Sequence, residues 1–108
     1  MKEDIFHAIA DPTRRSILEL IADRAMTPNE LAENFDITRQ AVSKHIRILS
    51  DCRLLEQEKT GREIYYHINP FKMKEVDVWL QRFRKHWENS FDQLDKVLIN
   101  LNSENDEK

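Results

Sequence analysis

The chain is poor in the residues that bend, staple or anchor a backbone. Its 108 residues include one cysteine, one glycine and three prolines. One cysteine excludes an internal disulfide framework, so burial and hydrogen bonding must hold the fold, as suits a reducing compartment. One glycine excludes a glycine-rich phosphate loop. No serine or cysteine has a base and an orienting group suggested by the pattern, so no enzyme is expected. No apolar run approaches the ~20 residues that cross a bilayer. The start, Met1-Lys2-Glu3-Asp4-Ile5-Phe6-His7, lacks the apolar stretch of a signal peptide. The expectation is a cytoplasmic protein with no membrane partner.

Basic charge is also in the minority, with 17 Lys and Arg against 20 Asp and Glu. Its distribution matters more than its total. Between Thr38 and Arg62 stand six basic residues, Arg39, Lys44, Arg47, Arg53, Lys59 and Arg62, and three acids, Asp51, Glu56 and Glu58. That segment is +3 and the remainder −6, a basic patch on an acidic body.

The few special residues act as punctuation. Asp11-Pro12 and Asn69-Pro70 open helices, and Thr27-Pro28-Asn29-Glu30 has the spacing of a capping box. The third helix is expected to end near Asn34 or Phe35. Strands are expected at Leu55–Lys59 and Glu63–Ile68 around a Thr60-Gly61 turn, where glycine supplies positive φ. The order is helix, helix, short helix, helix, hairpin, long helix: a mainly α fold with a small β-hairpin wing. One domain is expected over residues 1–102, followed by a polar tail at 103–108.

The fourth helix carries the chemistry. Spaced at 100° per residue, Val42, Ile46 and Leu49 share one sector, suited to packing on Leu31, Ala32 and Phe35. Gln40, Ser43, Lys44 and Arg47 gather opposite. Gln40 matches adenine, Arg47 and Lys44 match guanine or phosphate, and Ser43 serves either. Thr38 and Arg39 stand at the helix start, where backbone phosphates are favoured. Lys59 and Arg62 flank the hairpin turn. An ordinary solvated helix face is the alternative, but such faces mix charge signs and this one has no acid before Asp51. His45, on the flank of the apolar triad, reads as a packed histidine.

These elements carry a resemblance. The runs "FHAIADPTRRSILELI" (6–21) and "TPNELAENFDITRQAVSKHIRILSDCRLLEQEKTGREIYYHINP" (27–70) resemble the winged-helix repressors of the ArsR/SmtB family. The resemblance implies a homodimer that binds double-stranded DNA at a palindromic operator and represses nearby genes, and the chain looks more like the family's metal-independent branch, which includes autorepressors. Many members sense metals. Their thiolate pair would fall on Thr27 and Asn29, and their C-terminal zinc site finds only His86 in the last helix. His7, His45, His67 and Cys52 are scattered, so no metal site and no cofactor are expected. Cys52 reads as a small buried hydrophobe, with a thiol-gated sensor as the alternative.

The last helix, about thirty residues, repeats Val76, Trp79, Leu80, Phe83, Trp87, Phe91, Leu94, Val97, Leu98 and Leu101 at three- and four-residue steps. With Ile5, Phe6 and Ile9 this stripe is expected to serve both as core and as a two-fold interface. The interface candidates are Ile5, Phe6, Ile9, Trp79, Phe83, Trp87, Phe91, Leu94 and Leu98. A small-molecule effector near Trp79, Phe83 and Trp87, or an adaptor role with an acidic protein on the outward helix face, are the alternatives.

Overall fold

The structure, a computed structural model, describes residues 4–106. Its elements are α1 (Ile5–Ile9), α2 (Pro12–Asp23), α3 (Pro28–Ala32), α4 (Arg39–Asp51), β1 (Leu55–Thr60), β2 (Glu63–Ile68) and α5 (Pro70–Asp106). The chain divides into two compact units, residues 1–76 and 77–108.

In the first unit each helix start is explained by its local chemistry. Asp4, Asp11 and Thr38 accept the backbone N–H of Phe6, Arg14 and Ala41 at 3.0, 3.1 and 3.1 Å. Thr27 and Glu30 form a reciprocal capping box at 3.1 and 2.9 Å. Pro12, Pro28 and Pro70 all take the first helical position, where the missing N–H costs nothing. α3 stops at Ala32, earlier than expected. Beyond it the backbone tightens, with the Asn34 and Phe35 amides bonding Leu31 and Ala32 carbonyls at 3.0 and 3.2 Å.

β1 and β2 pair antiparallel from Leu55↔Ile68 to Thr60↔Glu63. Thr60 therefore belongs to the strand, and the turn is Gly61-Arg62. Gly61 has φ +64°, at the first central position of a two-residue loop. Met26 and Tyr66 exchange backbone hydrogen bonds of 3.1 and 2.8 Å, which ties the hairpin to the loop before α3. Ile17, Leu31, Val42, Leu49 and Leu54 are fully shielded at the centre of the core. Met73 and Val76, in the first turns of α5, pack against it.

The second unit is the rest of α5. Trp79, Phe83, Trp87 and Phe91, four residues apart, form a ladder of rings with centroids 4.9, 6.1 and 6.3 Å apart. α5 is 37 residues long, against the thirty expected, and residues 103–106 of the expected tail continue it. Residues 107 and 108 lie outside the described residues. No helix among the described residues is long and apolar enough to cross a membrane.

Candidate nucleic-acid interface

α4 is held by one side and displayed by the other. Val42, Ile46 and Leu49 are 0, 3 and 0% exposed. Leu31, Ala32 and Phe35 of α3 and its following turn belong to the same apolar cluster, as the spacing required. Thr38, Arg39, Gln40, Ser43, Lys44 and Arg47 are all exposed. Apart from the Thr38 cap, none of these side chains has a hydrogen bond or ion pair among the described residues. Their donors and acceptors are thus available to an external partner, with no internal bond to break.

The tertiary structure also relates the helix to the hairpin tip. Arg39, in the first turn of α4, and Arg62, in the turn between the strands, line one concavity of about 200 Å³ with Asn29 and Glu63. Arg39, Gln40 and Ser43 line a second, shallower one. Lys59 is exposed opposite Ile64 in the ladder and belongs to neither of these concavities. Two guanidinium groups and the Glu63 carboxylate therefore line one groove, which keeps a net positive charge suited to a phosphodiester.

Behind the helix lies an arrangement that sequence reading did not assign. Arg14 is only 8% exposed. Its Nε donates to the Ala8 carbonyl at 2.6 Å and its NH2 to the His7 carbonyl at 3.3 Å. Its NH1 lies 3.2 Å from Nδ1 of His45, and Asp11 Oδ2 is 3.9 Å from the same nitrogen. His45 is therefore a packed histidine, as its flank position implied, with an arginine as its partner. A signal existed: Arg14 continues the Ile17, Leu18, Ile21 spacing of the apolar face of α2. The backbone N–H of Arg14 holds the Asp11 carboxyl below its ordinary pKa, and the Arg14 guanidinium acts in the same sense.

Cys52 is 3% exposed, and its thiol donates to the Leu49 carbonyl at 3.3 Å. Desolvation raises its pKa. Both facts speak against the thiol-gated alternative, because burial disfavours the thiolate and screens the sulfur. Among the described residues no group of three or more His, Cys, Asp and Glu side chains could hold a metal ion.

Of the interface candidates, Ile5 is 6% exposed and belongs to the subunit's own core, with Phe6 and Ile9 packed half-buried beside it. On α5, Trp79, Phe83, Phe91, Leu94 and Leu98 are 41, 39, 56, 52 and 49% exposed, and Trp87 is half-buried.

A helix pair closed by a short turn, with the second helix displayed and a β-hairpin following it, defines a winged helix-turn-helix DNA-binding protein. Comparison with known proteins agrees. Residues 9–58 match a family described as a helix-turn-helix domain. Transcriptional repressor SdpR of Bacillus subtilis is 35% identical over 80 residues, which cover 74% of this chain and 89% of that protein. The HTH-type transcriptional regulator Rv2034 of Mycobacterium tuberculosis is 33% identical, over 72% of this chain and 73% of its own. An ArsR-like transcriptional regulator from Rhodococcus sp. RHA1 superposes with a TM-score of 0.67 at 29% identity, covering 86% of this chain and 88% of its own. Another ArsR family regulator superposes with a TM-score of 0.68 at 36% identity, over 78% of this chain and 87% of its own. The chain belongs to the ArsR/SmtB family of winged helix-turn-helix transcriptional regulators.

Proposed function

We propose that the chain is a homodimeric repressor that reads a palindromic operator with α4 and works without a metal effector. The observation that carries this reading is the outward side of α4. Arg39, Gln40, Ser43, Lys44 and Arg47 project from a helix whose opposite side is core, and no internal partner claims them. Gln40, Ser43 and Arg47 have the donor and acceptor sets to read base edges. Thr38, Arg39, Lys44, Lys59 and Arg62 position the backbone.

Repression is supported by the name of the B. subtilis relative, a transcriptional repressor. Dimerisation is supported by the exposed apolar stripe on α5, which a second copy would cover, together with Phe6 and Ile9. A two-fold pair would present two α4 helices to successive major grooves, about one DNA turn apart. A metal-independent mode is supported by the side chains themselves: Thr27 and Asn29 stand where the family's thiolate sensors carry cysteine, and neither suits a soft metal.

The test is a binding titration on the DNA upstream of the coding frame and on random DNA of equal length, at several salt concentrations. Specific binding should be far tighter and should weaken steeply with salt. Gln40→Ala and Arg47→Ala should each narrow the gap between the two DNAs, and Arg39→Ala should weaken both equally. Unchanged sequence preference in both Gln40→Ala and Arg47→Ala would overturn the base-reading assignment. Stoichiometric zinc in purified protein by elemental analysis would overturn the metal-independent mode.

A further inference from the structure

A cleft of about 480 Å³ runs between α4 and the hairpin, within the size range of ~300–1,000 Å³ typical of small-molecule sites. Its floor is apolar. Ile46 and Leu55 contribute to it at 3 and 2% exposed, and Tyr66 adds the face of a half-buried ring. Its polar groups are few and convergent. Arg47 supplies a guanidinium with no partner among the described residues. Gln57 accepts a long 3.4 Å bond from the Tyr66 hydroxyl, which leaves its amide N–H groups free. Ser50 also lines the cleft, and its Oγ is shielded from solvent without any hydrogen-bond partner.

A buried hydroxyl left unpaired is costly, and natural folds rarely keep one without a use. A turn of the Ser50 side chain about its Cα–Cβ bond would pair it with an acceptor lying in the cleft. The donor set is the Arg47 cation, the Gln57 amide and the hydroxyls of Ser43 and Ser50, beside a Tyr66 hydroxyl already given to Gln57, over a hydrocarbon floor, and no carboxylate lines the cleft. Such a site selects an anion with an apolar body. Inorganic phosphate would satisfy the guanidinium and leave the floor uncovered. A neutral aromatic would cover the floor and leave the guanidinium unanswered.

We infer that this cleft binds a small amphipathic carboxylate, and that the bound carboxylate withdraws Arg47 from DNA. The second half of the inference rests on Arg47 being a base reader, as proposed above. Regulation then needs no long-range relay, because ligand and operator compete for one guanidinium.

The experiment is a backbone-amide NMR titration of the full chain with benzoate, with benzyl alcohol and inorganic phosphate as controls, alongside operator competition. Benzoate should shift the amides of Ile46, Arg47, Ser50, Leu55 and Gln57 saturably and should release operator DNA, and neither control should do so. Ser50→Ala should weaken benzoate roughly fivefold, the value of one hydrogen bond, and leave operator affinity unchanged. Gln57→Ala should act in the same direction and guards against a folding defect peculiar to the Ser50 variant. Absence of saturable benzoate shifts in protein that still binds operator would overturn the site, as would phosphate shifting the same amides equally well. Saturable benzoate binding in protein without operator preference would support the cleft and sink the DNA reading alone.

Discussion

Arg14 and His45 meet across the core side of α4, with guanidinium NH1 and imidazole Nδ1 3.2 Å apart. The same guanidinium holds the Ala8 and His7 carbonyls at the end of α1. One buried cation therefore fastens α1 and α4 to α2 at a single point. Arg14→Met keeps the apolar stem and strips every donor from three acceptors. The expected loss is about 2–3 kcal/mol of folding stability, read as a lower urea midpoint with an unchanged m-value.

The Arg39 and Arg62 pair makes a quantitative expectation about salt. Each guanidinium that contacts a phosphate contributes about one unit to the slope of log affinity against log salt. Arg39→Ala and Arg62→Ala should each reduce that slope by about one, on operator and random DNA alike. Arg62 sits on the hairpin and Arg39 on α4, so parallel effects from both would show wing and helix engaging one backbone.

Acid should loosen the helix starts. The backbone N–H of Arg14 lowers the pKa of Asp11, and the backbone N–H of Thr27 lowers that of Glu30, with Arg24 assisting. A carboxyl with a lower pKa in the folded state binds fewer protons there than in the unfolded chain, so stability rises with pH across its titration. The contribution is complete above the unfolded value of about 4, and is lost as pH falls through the folded one. Chemical denaturation followed by circular dichroism should show the midpoint dropping in that window, with a shallower drop in Asp11→Asn and Glu30→Gln.

The exposed stripe on α5 makes an expectation about assembly. Phe91 and Leu98 are about half exposed, so replacing either with glutamate leaves the subunit's own core intact. If the stripe is the two-fold interface, sedimentation of Phe91→Glu or Leu98→Glu should report the mass of one chain where the parent reports two. Operator affinity should fall with it, because two half-sites no longer act as one. A parent protein that sediments as a single chain would refute the assembly outright.

Cys52 should behave as a structural thiol. With its pKa raised by desolvation and its sulfur screened, a thiol reagent should label it slowly in native protein and quickly in urea. Rapid native labelling would revive thiol sensing.

Most of the architecture was written in local chemistry. Prolines at 12, 28 and 70, the Thr27–Glu30 box and the Gly61 turn each act within a few residues, so their elements could be read from the chain alone. Boundaries were less accessible where tertiary hydrogen bonds decide them. The α3 end depends on how the chain tightens at Asn34 and Phe35, and the strand limit at Thr60 depends on its register with Glu63.

Sequence periodicity by itself determined which side of α4 is core and which side is free, because helical spacing alone separates Val42, Ile46 and Leu49 from Gln40, Ser43 and Arg47. Only the tertiary structure decided that Arg14 answers His45, that Arg39 and Arg62 share a groove, and that Ser50 and Gln57 line a cleft with Arg47. Those relations join different elements, with residues up to 31 positions apart, and their distances follow from packing angles that no local pattern encodes.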